Sequence, residues 1–366
     1  MHYICFYKLR SMMKTTIKTI LYLLLSFIFL RCSYKGEDNL LDSFKNEKQI
    51  KGVEIPIDDA LLGNPMELIT IDTFLLVVDY FDNTWLNIFS INTGKQIKRD
   101  LNSGKGPNEI QRPYKITVTG ERTFDIYDIF TKRLLSYDID DILSEKKSTP
   151  FLKEDFKSDT ARFLQILRLP DNKFFGTGII FGGKYCVVNK KDALCEAFGE
   201  YPADEKHNNA GYNILGAAYQ GLLELKPDGS KIVWANLKSP ILEIIEIKDD
   251  KFEVIKKINF GLPLYDEYED EMGGFSAETH ENNKLGFRDI NVTNEYIYAL
   301  YSGRTFEEFD DKAIKCEYIL VYDWEGNPLK KMKLERDVNS ITVTLDNKYI
   351  YAIAETPFPR IIRYTL

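Results

Sequence analysis

Hydrophobic and polar residues alternate along most of this chain, and a period of two predicts β-strands. Three stretches with the pattern Ile-x-Val-Thr can be aligned with one another almost without gaps, at 114–119, 288–293 and 339–344. After a short polar turn, each stretch is followed by a second alternating run, and such a pair predicts a β-hairpin. A hairpin that recurs along the chain indicates a fold built from repeated β-units.

The second strand of each hairpin gives the number of repeats. Candidates for this strand lie roughly fifty residues apart, which is typical of propeller blades rather than of horseshoe or helical repeats. There are six of them, at 75–79, 124–128, 173–177, 231–235, 296–300 and 349–353. We therefore predict an all-β fold, a six-bladed β-propeller that spans residues 49–366.

The last predicted blade has only three strands, and an open ring would leave exposed strand edges. An alternating segment at 50–55 lies upstream of the first blade. We predict that this N-terminal strand completes the last blade and closes the ring.

The first 31 residues differ in character from the rest. An unbroken run of apolar or small residues at 20–30 is too short for a comfortable membrane span and is typical of a secretory signal peptide. Cys32 follows this run, in an arrangement that resembles the lipobox of bacterial lipoproteins, although Arg31 replaces the usual small residue. We predict a signal peptide at 1–31, lipidation of Cys32 and a flexible tether at 32–48. An uncleaved anchor with an incidental cysteine is the alternative.

Charge bears on the partners. Removal of residues 1–31 deletes five basic residues and no acidic one, so the formal net charge goes from −8 to −13. Nucleic-acid binding needs clustered lysine and arginine to neutralise phosphates, so we predict no nucleic-acid partner. The leader predicts a cell-envelope protein, an outer-membrane lipoprotein that faces the periplasm or the cell surface. We expect a monomer attached to the membrane through its lipid.

Links that combine glycine and proline recur between the predicted blades. The most complete is Gly-Lys-Gly-Pro-Asn-Glu at 104–109, which precedes an inner strand and then a hydrophobic strand that ends in Asp128. Glycine permits positive φ angles and proline fixes φ, so such links turn the chain from the rim back to the axis. This context resembles TolB-like and NHL-like six-bladed propellers, especially the propeller lipoproteins of Gram-negative anaerobes. The resemblance implies a protein, peptide or glycan partner at one mouth of the central channel.

Candidate binding residues come from the starts of the inner strands, because these strands converge on the axis of a propeller. By register they are Arg112, Tyr114, Arg162, Tyr219, Arg288, Asp289 and Asn339. The three arginines in this set favour an anionic ligand or the carboxylates of a partner. Alternatively, these side chains satisfy one another inside the tunnel. The long links at 201–220 and 262–286 are a further candidate surface, with a solvated acidic loop or short helix as the alternative.

Residues suited to catalysis or metal binding are few. His207 and His280 lie in the long links, outside any pattern typical of a nucleophilic triad or a zinc site. We predict no cofactor, but calcium is not excluded, because carboxylates near strand ends provide hard oxygen ligands. The alternative role of these carboxylates is to accept hydrogen bonds from turn amides. They are Asp79, Asp82, Asp125, Asp128, Asp138, Asp140 and Asp141.

Three cysteines follow the tether. Cys186 and Cys195 flank a predicted turn at 189–192, which would place them opposite each other on paired strands. In an exported, oxidising compartment a disulfide is possible, and two half-buried thiols are the equal alternative. Cys316 has no evident partner, and we predict that it is a buried small hydrophobic residue.

Taken together, these features predict a non-catalytic exported binding or scaffold lipoprotein. The alternative is a propeller hydrolase or lyase that acts on carbohydrate or lactone substrates, with calcium or acidic residues at the axis. The repeats do not decide between the two, because function depends on the site that a fold carries.

Overall fold

The structure, a computed structural model, describes residues 39–57, 62–144, 148–170, 173–189, 194–206, 208–269, 274–355 and 358–366. The predicted features that lie outside these ranges are the signal peptide 1–31, Cys32, the start of the tether at 33–38, most of the predicted turn at 190–192, and His207. None of the helices within these ranges is long and apolar enough to cross a membrane.

Six sheets of at least four strands follow one another around a ring, which confirms the predicted six-bladed β-propeller. The first strands are β1 (Glu47–Ile50) and β2 (Gly52–Glu54), and the blades then follow in chain order. Blade 1 comprises β3 (Pro65–Ile71), β4 (Phe74–Phe81), β5 (Thr84–Ser90) and β6 (Gln96–Asn102). Blade 2 comprises β7 (Pro113–Val118), β8 (Thr123–Asp128), β9 (Arg133–Asp138) and β10 (Leu152–Asp155). Blade 3 comprises β11 (Ala161–Arg168), β12 (Lys173–Ile180), β13 (Tyr185–Asn189) and β14 (Leu194–Phe198).

The second half of the ring follows the same plan. Blade 4 comprises β15 (Gly221–Leu225), β16 (Lys231–Asn236), β17 (Ile241–Lys248) and β18 (Lys251–Asn259). A separate hairpin of β19 (Tyr265–Glu269) and β20 (Phe275–Thr279) precedes blade 5. Blade 5 comprises β21 (Phe287–Val292), β22 (Tyr296–Tyr301), β23 (Cys316–Asp323) and β24 (Pro328–Val338). Blade 6 comprises β25 (Ser340–Val343), β26 (Tyr349–Ala354) and β27 (Arg360–Thr365). The inner strands β3, β7, β11, β15, β21 and β25 contact one another in this order, and β25 contacts β3.

Short helices occupy the connections. They are α1 (Ile139–Leu143), α2 (Tyr212–Ala218), α3 (Phe306–Phe309) and the 3-10 helices Leu40–Ser43 and Asp310–Ile314. The two long links meet, because α2 from the first packs against β20 from the second. The second link is thus a hairpin rather than the acidic loop or short helix that the sequence left open.

The N-terminal strand closes the ring as predicted. β2 pairs antiparallel with β27, with Val53 opposite Arg363, and the amide of Ile55 donates to the carbonyl of Ile361 at 2.9 Å. Just before it, β1 runs parallel to β24 and becomes a fifth strand of blade 5, which the sequence did not predict. The chain therefore crosses between two blades within a few residues. Gly52 permits this crossing, because a Cβ there would clash with the side chain of Ile362.

Residues 40–48, which the sequence assigned to the flexible tether, pack against the propeller. Leu40 and Phe44 are buried in the hydrophobic cluster between blades 4 and 5. Full burial of such a side chain contributes roughly 1.5–3 kcal/mol, which helps to hold the segment against the blades. The structure therefore assigns this part of the predicted tether to the propeller.

The hydrophobic core lies between neighbouring blades. The middle strands are covered on both faces, so Leu75, Leu76, Val77 and Val78 are all buried although they are consecutive. Strands buried on both faces are expected to be continuous apolar runs. Outer strands have one solvated face, and β18 accordingly alternates between exposed and partly buried positions. This packing holds the inner strands in fixed positions around the axis.

Candidate functional site

The inner strands divide the propeller into two faces. We call the face where the interblade links enter these strands the link face, and the face where they turn into the second strands the hairpin face. A cavity of about 680 Å³, the channel cavity, lies on the axis at the hairpin face. Every blade contributes to its wall. One residue from each blade, in order, is Thr70, Thr117, Leu167, Leu225, Asn291 and Thr342.

Four buried charged side chains, the axial cluster, lie on the inner strands just below this cavity. Nζ of Lys115 is 3.0 Å from Oδ1 of Asp289 and 3.2 Å from Oε1 of Glu224, and it also contacts Oε1 of Glu67. Each of these side chains is at most one-tenth exposed. One ammonium thus joins carboxylates from blades 1, 4 and 5 to blade 2. Of the four residues, Glu224 lines the channel cavity and forms part of its floor.

The remaining acceptors of two carboxylates are used by neighbouring blades. Oδ2 of Asp289 accepts hydrogen bonds from the hydroxyl of Ser340 at 2.7 Å and from the amide of Ile341 at 2.9 Å. Oε2 of Glu67 accepts from the amide of Ile116 at 2.9 Å. Inner strands have no strand partner on the axial side, so side chains satisfy their backbone groups there.

Blade 3 is bound to blade 4 in a similar way. The side-chain amide of Gln165 donates to the carbonyl of Leu223 at 2.7 Å, and its oxygen accepts from the amide of the same residue at 2.8 Å. Polar side chains at the axis therefore fix the relative positions of neighbouring inner strands.

Burial changes the protonation of the axial cluster. It raises the pKa of Glu67 to about 8 and that of Glu224 to about 7, although Lys115 opposes both shifts. Burial also opposes the charge of Lys115, but the carboxylates of Asp289, Glu67 and Glu224 together raise its pKa above the ordinary value. A buried ammonium shared by three carboxylates leaves excess negative charge, which protons take up near neutral pH.

The cations in the cavity wall are already paired. The guanidinium of Arg168 binds both oxygens of Asp125, at 3.1 and 3.2 Å, and donates to the hydroxyl of Thr119 at 3.0 Å. Nζ of Lys226 lies 2.6 Å from a carboxylate oxygen of Asp228. The wall therefore contributes hydroxyl groups and aliphatic surface rather than free positive charge.

The rim of the cavity exposes apolar side chains. Val118 is 40% exposed and Leu345 is 69% exposed, and both line the opening. Among the described residues, the lining contains leucine, isoleucine, valine, threonine and proline but no aromatic ring. The rim of the cavity therefore offers aliphatic surface to the solvent.

The residues predicted from the inner-strand starts lie towards the link face, and none of the seven belongs to the described lining of the channel cavity. Asp289 belongs to the axial cluster. Burial raises the pKa of Tyr114, and the positive charge of nearby Arg288 opposes this shift. Nε of Arg288 and Oδ1 of Asn339 are buried and find no hydrogen-bond partner among the residues that the structure describes. An anion at this mouth stays a prediction.

The other predicted residues lie with the links. Arg162 donates to Oδ1 of Asn213 in α2 at 2.9 Å. Tyr219 is buried in the hydrophobic cluster between blades 3 and 4 rather than at an opening. The backbone amide of Arg112 donates to Asp128, and its side chain is exposed.

Of the four residues of the axial cluster, Asp289 was predicted from the sequence, whereas Glu67, Lys115 and Glu224 were missed. In the aligned repeats, each inner strand has a polar residue directly before an isoleucine or leucine. These residues are Glu67, Lys115, Gln165, Glu224, Asp289 and Ser340. The predicted residues Tyr114, Arg288 and Asn339 precede three of them by one position. The signal was present in the sequence, but one residue along the strand reverses the side-chain direction.

Three of the predicted aspartates near strand ends, Asp79, Asp128 and Asp138, accept hydrogen bonds from backbone amides of links, turns or a helix N-terminus. Asp128 accepts from the backbone amides of Gln111 and Arg112 in the link and of Phe130 in the turn. Asp79 likewise accepts from the amide of Gly63, at 2.9 Å. Within the ranges that the structure describes, no group of three or more His, Cys, Asp or Glu side chains is arranged to hold a metal ion.

The cysteines outside the leader have different environments. Cys186 and Cys195 form a disulfide with a Cα–Cα distance of 5.7 Å. They are diagonal neighbours rather than directly opposite, because Cys186 pairs with Ala197 and Cys195 pairs with Val188. Cys316 is free and buried, and burial raises the pKa of its thiol far above its ordinary value.

Comparisons with known proteins agree with this architecture. A family model described as TolB-like 6-blade propeller-like matches residues 43–346. A solved protein from Bacteroides fragilis, described as exported, is 10% identical with a TM-score of 0.50, over 88% of this chain and 98% of that one. A member of the DUF4221 family from Bacteroides vulgatus is also 10% identical, with a TM-score of 0.51, over 87% of this chain and 98% of that one. Such low identities show the fold alone. No curated protein matches the sequence.

Proposed function

The chain belongs to the TolB-like 6-blade propeller-like family, and from this premise we propose that it is a non-catalytic binding protein. Its site is the mouth of the channel cavity on the hairpin face. Its partner is a protein or peptide segment, which covers two of the three partner classes predicted from the sequence.

The observation that carries this proposal is a cavity of about 680 Å³ to which all six blades contribute. Ligand sites are typically clefts of about 300–1,000 Å³ built on a rigid scaffold. The inner strands are held in place by interblade packing and by the axial cluster, so the cavity is pre-formed. A pre-formed site binds a segment with little loss of conformational freedom on the protein side.

The lining favours a protein or peptide segment over a glycan. Val118 and Leu345 offer exposed aliphatic surface at the rim. Threonine hydroxyls such as those of Thr70 and Thr117 offer hydrogen bonds to a peptide backbone. The described lining lacks the aromatic rings on which sugars would pack. A non-catalytic role is supported by the pairing of Arg168 and Lys226 with neighbouring carboxylates, which leaves them engaged in the wall.

We also propose that the protein acts in the cell envelope, as a lipoprotein anchored through Cys32 after removal of residues 1–31. The disulfide between Cys186 and Cys195 is consistent with an oxidising compartment. The fold neighbour from Bacteroides fragilis is described as exported, which supports the same location. The site would then face the periplasm or the cell surface, on a monomer attached to the outer membrane.

Photo-crosslinking with matched positions tests the binding site. A benzoylphenylalanine at Val118 lies on the rim, and one at Ile255 lies on outer strand β18 with the same exposure, 40%. We expect a defined protein adduct from membranes with the probe at position 118 but not with the probe at position 255. The same adduct at both positions, or at neither, would contradict a site at this mouth. A glycan array with the purified protein tests the glycan alternative directly.

A further inference from the structure

The channel cavity combines an acidic floor with an aliphatic wall. Resting on the proposed function, we propose that the bound segment inserts a basic side chain, of lysine or arginine, and that the carboxylate of Glu224 accepts it at the floor.

The axial cluster contains more carboxylates than ammonium groups. Lys115 supplies one ammonium, whereas Glu67, Asp289 and Glu224 supply three carboxylates. When all four groups are ionised, the buried cluster carries two uncompensated negative charges. Such charges are unfavourable inside a protein unless a cation or protons neutralise them. A cationic side chain of a ligand would supply one of the missing charges.

Glu224 has a second carboxylate oxygen that can accept a hydrogen bond from a ligand. Its side chain is 9% exposed, and that exposure is towards the channel cavity, which it lines. Its Oε1 has the longest of the three contacts with Lys115, at 3.2 Å. The structure gives its second oxygen no donor among the described residues. Glu67 and Asp289, in contrast, use their second oxygens to accept backbone amides from neighbouring strands.

The cavity wall above Glu224 is aliphatic. Val118, Leu225 and Leu345 line it with side chains that are not fully buried. Lysine and arginine carry long apolar stems with a charge only at the tip, so this surface matches the stem while the floor matches the tip. The wall cations Arg168 and Lys226 are each neutralised by an aspartate and leave no free positive charge to repel the incoming one.

The protonation of the cluster provides a signature of this contact. Burial raises the pKa of Glu224 to about 7, so this carboxyl can bind a proton near neutral pH in the empty protein. A bound ammonium would displace that proton. Lys115, Glu67 and Asp289 face the same carboxyl, and their charges are the background against which the displacement is measured.

The test uses the full chain and the probe N-acetyl-lysine methylamide, with its Nε-acetylated form as the neutral control. Binding is followed by ligand-observed NMR and by calorimetry in buffers of different ionisation enthalpy. We expect the lysine probe to bind at least about tenfold more tightly than the neutral probe, as for a hydrogen bond to a charged group. We also expect proton release at pH 7. In Glu224→Gln both effects should disappear, whereas Glu253→Gln, an exposed carboxylate on β18 of the same blade, should retain them.

A second variant tests the inference even if the Glu224→Gln protein does not fold. Thr117→Trp fills the cavity from the wall and leaves every carboxylate in place, so it should also abolish binding of the lysine probe. Binding that is unchanged in a folded Glu224→Gln protein, or in Thr117→Trp, would overturn the inference. So would equal binding of the charged and neutral probes. If the adduct at Val118 forms in those cases, the proposed binding function stands without the basic side chain; if it does not, both are wrong.

Discussion

Replacement of Lys115 by methionine tests whether the axial cluster holds the propeller together. The ammonium contacts carboxylates of Glu67, Glu224 and Asp289, and its removal leaves all three buried without a cation. Methionine retains the apolar stem and a similar volume, so the change is mainly one of charge. Loss of one partner of a buried ion pair destabilises a protein by about 3–5 kcal/mol.

The size of this loss should depend on pH. At pH 8 the carboxyls of the variant must either bear uncompensated charge or bind protons against the solution, so the full loss of about 3–5 kcal/mol is expected. At pH 5, Glu67 and Glu224 are protonated in the folded state and need no cation. The loss there should be smaller, because only Asp289 is left as a buried charge, and Ser340 and Ile341 still donate to it.

Urea denaturation followed by the fluorescence of the buried Trp234 and Trp324 measures these values. Lys95→Met, at an exposed position, is the matched control and should change the free energy of unfolding by at most about 0.5 kcal/mol. A loss of less than about 1 kcal/mol for Lys115→Met at pH 8 would refute the idea that this ammonium stabilises the ring. An equal loss at pH 5 and pH 8 would refute the assigned protonation of Glu67 and Glu224.

Three further predictions concern the pH dependence, the closure and the disulfide. The folded protein binds more protons than the unfolded chain between the ordinary glutamate pKa and the raised values of Glu67 and Glu224, about 8 and 7, so the free energy of unfolding should fall as the pH rises from 5 to 7. The slope is about 1.4 kcal/mol per pH unit for each proton, and Glu224→Gln should remove roughly half of it in urea titrations at several pH values. Gly52→Val should lower the unfolding free energy by about 1–3 kcal/mol in the same assay, because a Cβ at this position meets the side chain of Ile362. The control Val53→Thr, at an exposed position of the same strand, should change the unfolding free energy by at most about 0.5 kcal/mol. Reduction of the disulfide, which spans nine residues, should cost about 2–3 kcal/mol, and unchanged stability after complete thiol labelling would contradict that.

The architecture could be predicted because it depends on patterns within short stretches of the chain. Alternation and the recurring Ile-x-Val-Thr hairpin fix the number of blades, and the missing strand of blade 6 required the donor that β2 supplies. The parallel pairing of β1 with β24 left no comparable signal, since it joins residues almost three hundred positions apart. Local alternation says that a strand exists but not which distant edge it meets.

Three of the predicted site residues, Tyr114, Arg288 and Asn339, lie one position before residues that face the axis. The reason for this difference is physical. Tyr114 and Lys115 are both compatible with the start of an inner strand, and only the direction of each side chain decides which faces the axis. Lys115 finds a partner 174 residues away in Asp289, so no local pattern reports the contact. Comparison of the six inner strands does indicate it, because in every blade a polar residue directly precedes an isoleucine or leucine at the same position of the repeat.

Under the proposed function, stability and ligand recognition depend on different residues at neighbouring positions of the ring. Lys115 is shared by three carboxylates, so its replacement affects every blade that they join. Glu224 gives one contact to that ammonium and faces the cavity with the rest of its carboxyl group. Its replacement by glutamine removes one acidic group from a cluster in which three carboxyl groups share one ammonium, and Lys115 keeps Glu67 and Asp289 as partners. We therefore expect a change at this position to alter ligand binding at the proposed site while the polar contacts that hold the inner strands remain in place.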